Sequence, residues 1–397
     1  MVVGSINIDL VVRSEHFPRP GETISGSDFQ QIPGGKGANQ AVAAARWGGH
    51  VKMVGRVGED AFARSLREGL RDAGVDVEAV ESTSGSSGAA VISVDSQGEN
   101  AITVVPGANG RLTAEDVERC AGAIAAADAL LVQLETPVEA VVRAVELAKS
   151  HGVLTVLDPA PAPTSPLPRE LMSVDILTPN QTEAAALCGV SAADPLAAAG
   201  VTERLRALGA RRVALKMGRH GAYFDDGDLS FYSPAYDVDV VDTTAAGDAF
   251  SAALAVGFAS QLGSVPSIRL ACAAGSLAAS HRGAQPAMPC REDAQRLCQE
   301  QEVVWIDEPT VGMLGDIRVG VGSVVRETEY EVEGRAMRGP ACFIAPETGG
   351  DQLVGSGSRF ALDADQWRVA VVEPPRDGRP GSATFQRVRS SQPVKSR

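Results

Sequence analysis

Over the first 298 residues, apolar positions follow two interleaved periods. Short apolar runs at 51–55, 129–133, 153–157, 174–177 and 213–216 have the length and β-branched content of buried strands. Between them lie runs with helical spacing at 60–73, 114–126, 137–150, 181–187, 195–208, 249–261 and 267–280. Strands alternating with helices of this length predict right-handed βαβ units and a mostly parallel sheet covered on both faces. Three places depart from that rhythm. Residues 1–12 read as strand, with polar Asn7 and Asp9 on one face and Ile6, Ile8 and Leu10 on the other. The apolar runs 89–94 and 101–105 flank a polar turn and predict a hairpin, as does 222–232.

Beyond residue 299 the helical period stops. Short strands are expected at 303–306, 317–325, 330–332, 341–344, 360–362 and 367–372, between glycine-rich turns. This predicts a small β-rich extension over 299–373. From 374 to 397 the composition is polar and rich in Pro, Gly and Arg, so disorder is expected there. The abrupt change suggests a detachable module, so a chain ending at Cys298 is expected to keep its activity.

At 397 residues the chain exceeds one typical domain. Its formal net charge of −14 disfavours nucleic acid and anionic membrane as partners and favours a small-molecule ligand. Six cysteines lie scattered without metal-ligand or disulfide-framework spacing. No signal-like segment or long apolar run is present, so a cytoplasmic protein without a membrane anchor is expected.

Chemistry collects at the predicted C-terminal ends of strands, where parallel sheets place their ligands. The stretch from Asp242 through Thr243, Thr244, Ala245, Ala246 and Gly247 to Asp248 reads as a strand end, a tight turn and a helix start. Small residues at a helix N-terminus let backbone N–H groups approach an anion, and the helix dipole favours it. Asp248 would stand beside that anion as a general base; as a purely structural feature it is an acidic residue in a helix first turn. Gly34, Gly35, Lys36, Gly37, Ala38, Asn39 and Gln40 lead into a helix expected from residue 41. The glycines suit close approach to a ligand, and the spacing is not that of a P-loop. Glu135, Asp158, Asn180 and Glu183 follow the strands 129–133, 153–157 and 174–177.

These motifs, together with Gly4 to Asp9, Gln133 to Glu135 and Asp158 to Ala162, occur in order from residue 1 to about 298 and strongly resemble the ribokinase/PfkB family of carbohydrate kinases. The resemblance implies a three-layer α/β sandwich with a mostly parallel central sheet and a small β-sheet lid built from about 9–32 and 89–105. It implies ATP-dependent phosphorylation of ribose at the 5-hydroxyl, with Asp248 as base and an anion hole at Ala245, Ala246 and Gly247. Ribose would be held by Asn7, Asp9, Gly35, Lys36, Asn39 and Glu135, and the nucleotide by Asn180, Glu183, Lys216, Gly218 and Gly221. Glu183 would meet magnesium through water, and Asp242, Thr244, Ala278, His281 and Gly283 would hold a monovalent cation, usually potassium. Two positions differ from the family pattern: Ala287 stands where a serine often completes the cation site, and Cys272 stands where a polar side chain often lies near adenine. A homodimer through the lid is implied as well. A kinase for another pentose or a nucleoside, or a non-catalytic sugar-responsive protein, are the competing functions.

Overall fold

The computed structural model describes residues 1–191, 197–307, 310–314, 317–332, 335–346, 352–362, 365–375 and 380–388. The alternating pattern becomes one central sheet. Its strands lie in the spatial order Ser230–Ser233, Ala222–Asp225, Arg212–Lys216, Ile176–Leu177, Leu154–Leu157, Ala129–Val132, Val2–Val3, Val51–Val57 and Val75–Asp76. Every pair from Arg212–Lys216 to Val75–Asp76 is parallel, and only the hairpin strands at the other edge are antiparallel. Helices cover both faces. One layer buries Val42, Phe224, Leu254 and Ala271, the other Val54, Leu130, Val141, Leu205 and Leu215. This is the expected three-layer α/β sandwich.

Several boundaries move. The helix expected from 41 starts five residues earlier, as Lys36–Arg46, because Gly35 turns the chain at φ +89°. The helix expected over 114–126 is two short ones, Ala114–Glu118 and Ala121–Ala125. The helix expected over 195–208 is Ala198–Ala207; 195 and 196 lie outside the described residues.

A separate four-stranded sheet is ordered Gly26–Gly34, Asn7–Ser14, Gly88–Val94, Asn100–Val105. The register sets Asp9 beside Ile32 and Ala90, and Ala90 beside Val104, so these four share one face. The outermost strand, Asn100–Val105, is exposed along its whole length.

The C-terminal region is a β-sandwich. One sheet is ordered Val303–Asp307, Ser382–Arg387, Asp365–Glu373, Arg359–Leu362, the other Thr310–Leu314, Ile317–Val332, Arg335–Pro346, Gln352–Gly355. They enclose Val319, Val321, Cys342, Ile344, Phe360, Trp367 and Phe385. The strands expected at 317–325 and 330–332 are one continuous strand, Ile317–Val332. The expectation of disorder from 374 is corrected over Ser382–Arg387, where Ala383 and Phe385 alternate into the core; 376–379 and 389–397 lie outside the described residues. Among the described residues no helix is long and apolar enough to cross a membrane. All six cysteines are free.

Candidate functional site

The helix Ala246–Ala259 starts earlier than its sequence pattern suggests, so Ala246, Gly247 and Asp248 are themselves its first turn. Its N-cap, Ala245, sits at φ +58°, a left-handed conformation that costs a non-glycine residue about 1–2 kcal/mol. No side chain caps this helix; Ala246 N donates to Thr243 O at 3.3 Å. The helix N-terminus is therefore open to an anion.

Asp248 is buried at 4% exposure, and both carboxylate oxygens are engaged. Asn39 Nδ2 donates to one at 3.0 Å and Gln40 Nε2 to the other at 3.1 Å. Gln40 Nε2 also donates to Asp158 Oδ2 at 2.9 Å, while Gln40 Oε1 accepts from Gln133 Nε2 at 2.6 Å. That second bond fixes which end of the Gln40 amide faces the carboxylates. Asp158 completes the chain by accepting from Lys216 Nζ at 2.7 Å. Gln40 ends the 34–40 motif and Gln133 an expected strand, yet no sequence pattern assigns them this bridging role. Burial alone would depress the Lys36 ammonium, but Asp248, Asp158, Glu135 and Glu183 around it hold its pKa well above the ordinary lysine value.

On the other side of Lys36, Glu135 Oε2 accepts from Ser5 Oγ at 2.5 Å and from Lys36 N at 3.1 Å. Ser5 reaches this helix because Gly37 packs on its backbone: a Cβ at Gly37 would lie 2.6 Å from Ser5 N. Asn7 Oδ1 accepts from Asn109 Nδ2 at 2.7 Å, and Asn109 also bonds both backbone groups of Ile6. Asn109 comes from the 3₁₀ turn Gly107–Arg111, which carries no periodic signal. Asp9 is pushed up to about 7 by burial first, then by the charges of Glu135 and Asp248. Asn39 Oδ1 is buried with no protein partner, which leaves an acceptor for a hydroxyl-rich ligand; Gln133 Oε1, also unpartnered, packs against Gly4. The structure thus gathers Asn7, Asp9, Gly35, Lys36, Asn39, Glu135 and Asp248 around one centre.

Asn180 and Glu183 cap the helix Gln181–Cys188 reciprocally: Asn180 Oδ1 accepts from Glu183 N, and the Glu183 carboxylate accepts from Asn180 N and Nδ2. Burial, ahead of the Asp158 charge, raises the Glu183 pKa. Both its oxygens already accept hydrogen bonds, so these residues fit a magnesium ion that keeps its waters better than a direct carboxylate ligand. Lys216 comes from the strand Arg212–Lys216, and its Nζ lies 3.4 Å from where a Cβ of Gly247 would stand, joining this side to the helix N-terminus. Gly218 and Gly221 bound the turn Gly218–His220 just beyond it.

Asp242 Oδ1 accepts from Thr244 N and Oγ1, and Oδ2 accepts from Gly283 N at 3.0 Å. Burial opposes its charge, yet these bonds hold its pKa below the usual carboxylate range. Thr244 and Gly283 are therefore brought to Asp242; Ala278 O accepts from His281 N nearby in sequence. The partners shown at the Asp242 carboxylate are N–H and O–H donors. Cys272 is buried, with Sγ 3.7 Å from Ser233 O, and burial pushes its thiol up to about 12.

Residues 1–291 match the family described as pfkB family carbohydrate kinase. The ribokinase of Haemophilus influenzae is 37% identical over 294 residues, covering 74% of this chain and 95% of that protein. A bifunctional ribokinase/ribose-5-phosphate isomerase A of Fructilactobacillus sanfranciscensis is 40% identical over 74% of this chain; the match spans 54% of that relative, about half its length. The structure of Arabidopsis thaliana ribokinase complexed with ribose and ATP superposes with a TM-score of 0.69 at 34% identity, covering 75% of this chain and 97% of that one. The family match ends before the C-terminal sandwich begins.

Proposed function

The chain belongs to the pfkB family of carbohydrate kinases, and from that premise we propose that it transfers the γ-phosphoryl group of ATP to the 5-hydroxyl of D-ribose, giving ribose 5-phosphate. The observation that carries this reading is Asp248: a buried carboxylate held by Asn39 and Gln40 in the first turn of an uncapped helix. Asp248 takes the proton of the sugar hydroxyl as its oxygen bonds to the γ-phosphorus and the bond from phosphorus to the ADP oxygen breaks. The amides at Ala245, Ala246 and Gly247 form the anion hole, that of Ala246 on leaving Thr243 O, and Lys36 and Lys216 add fixed positive charge on either side. Magnesium carried by ATP would neutralise phosphate charge, with Asn180 and Glu183 ordering its waters.

Asn7, Asp9, Gly35, Lys36, Asn39 and Glu135 hold the ribose, and Gly218 and Gly221 border the nucleotide. Asp242, with the carbonyls of Thr244, Ala278, His281 and Gly283, holds potassium; Ala287 supplies no hydroxyl there, which weakens selectivity over sodium. The Asp9 face of the small sheet covers the sugar as a lid, excluding water. Exposed Phe29, Val91, Ile102, Val104 and Val105 on that sheet favour a homodimer through the lid. We place the division between kinase domain and extension at 298/299, and the protein in the cytoplasm, with no nucleic-acid or membrane partner.

The test is an ADP-release assay with ribose, other pentoses and nucleosides. Ribose is expected to give the highest kcat/KM, with potassium raising turnover over sodium by less than about tenfold. A nucleoside exceeding ribose would overturn the substrate assignment.

Asp9 adds a pH dependence. Below about 7 its carboxyl is protonated, and above it the carboxylate accepts more strongly from sugar hydroxyls. The KM for ribose is therefore expected to fall severalfold from pH 6 to pH 8, and Asp9→Asn to flatten that profile at a raised KM. For the empty protein the sign reverses. Because the folded pKa is raised, the stability Asp9 contributes is full below the ordinary 3.8 and lost as pH rises through about 7. Thermal melts at pH 5 and pH 8 with and without Asp9→Asn check this.

A further inference from the structure

The segment 234–245, which links the strand Ser230–Ser233 to the helix bearing Asp248, contains neither helix nor strand. Its backbone polar groups have no ladder of their own, so other elements must answer them. The helix Ser264–Ala279 answers some: Ser276 Oγ accepts from Tyr236 N, and Ala279 O accepts from Val241 N and Asp242 N. Three more are answered from the C-terminal extension and its entrance. Gln301, fully buried between the helix Arg291–Glu300 and the first strand of the sandwich, accepts from Asp237 N at 2.7 Å and donates to Asp237 O at 2.7 Å. Gln386, 2% exposed on the strand Ser382–Arg387, donates to Ala235 O at 3.0 Å, while its own Oε1 is held by Arg368 Nη2 at 2.5 Å. The sandwich also inserts Val371 into the core layer that holds Tyr223 and Tyr232.

The braced loop touches the nucleotide side directly. A Cβ on Gly221 would stand 2.1 Å from Ser233 O and 2.5 Å from Ala235 N, so Gly221, which closes the turn Gly218–His220, packs on the backbone at Ala235 that Gln386 holds. Downstream, only four residues separate Asp237 from Asp242 and the turn before Asp248.

We propose that Gln301 and Gln386 are positioning residues for ATP: the C-terminal sandwich braces the loop 234–241 and through it sets the nucleotide turn and the approach to Asp248. The extension is on this reading part of the kinase, contrary to the expectation that a chain ending at Cys298 keeps its activity. The inference rests on the kinase reading for its consequence, though not for its geometry.

Two variants of the full chain test it. Gln386→Glu keeps the shape and the Arg368 contact but removes the donor to Ala235 O; Gln301→Leu removes both bonds to Asp237. Each is expected to raise the ATP KM by about threefold to tenfold, the effect of one or two lost hydrogen bonds, with the ribose KM unchanged within twofold. Amide exchange across 234–241, measured without substrates, is expected to accelerate at least about tenfold in Gln301→Leu while the Val319 to Val321 region of the sandwich stays protected. Unchanged exchange, or ATP and ribose KM values that rise together, would overturn the brace. Failure of the unsubstituted chain to phosphorylate ribose would instead sink the kinase reading, and the exchange measurement would still decide the brace.

Discussion

Asp248→Asn is expected to lower kcat by about 10²–10⁴-fold, the usual worth of a positioned general base, while the ribose KM stays within severalfold. The size of the effect follows from what the substitution keeps and what it removes. Shape and burial are retained, so the sugar site built from Asn39, Glu135 and Asp9 persists. The proton acceptor is lost, and the new amide sets an NH₂ group toward either Asn39 Nδ2 or Gln40 Nε2, both of which donate to the carboxylate. One donor left facing another costs about 1–3 kcal/mol, so a lower melting temperature is also expected. Measuring kcat, both KM values and the melting temperature separates the two losses, because a purely structural role would lower stability without selecting kcat. Turnover within about tenfold of the unsubstituted chain would remove Asp248 from the role of base.

The central sheet was legible because a buried parallel strand and an amphipathic helix leave different periods in the sequence, and six motifs in order placed the site at the strand ends. What was hidden has a common physical cause. Gln40, Gln133 and Ser5 act through hydrogen bonds to residues about 90 to 210 positions away, and no local pattern records such a partner. Asn109 sits in a 3₁₀ turn, where neither period applies. The strand Ser382–Arg387 was masked by the Pro, Gly and Arg around it, although Ala383 and Phe385 both point into the sandwich core. The helix start at Lys36 was missed because Gly35, which normally reads as loop, here supplies the φ +89° from which the helix departs.

The second large effect is on stability. Lys216→Met is expected to destabilise the chain by about 3–5 kcal/mol, the loss typical of removing one partner from a buried ion pair. Asp158 is 1% exposed, and Lys216 Nζ at 2.7 Å is the only cation in ion-pair contact with it among the described residues. Without it the carboxylate keeps only the Gln40 amide, which it shares with Asp248. Gln40 then lies between two buried carboxylates, and the remaining cation, Lys36, is shared by Asp158 with Asp248, Glu135 and Glu183. Urea denaturation would report the loss as a lower midpoint at unchanged slope. The double variant Lys216→Met with Asp158→Asn distinguishes an uncompensated charge from lost packing, because a neutral amide can accept from Gln40 without needing a cation. It is expected to recover at least about half of the lost stability, as contacting pairs do in a double-mutant cycle. It should not recover the ATP KM, since the ammonium beside Gly247 and Glu183 is still missing. A single variant within about 1 kcal/mol of the unsubstituted chain, or a double variant no more stable than the single, would show that the pair does not hold this centre together.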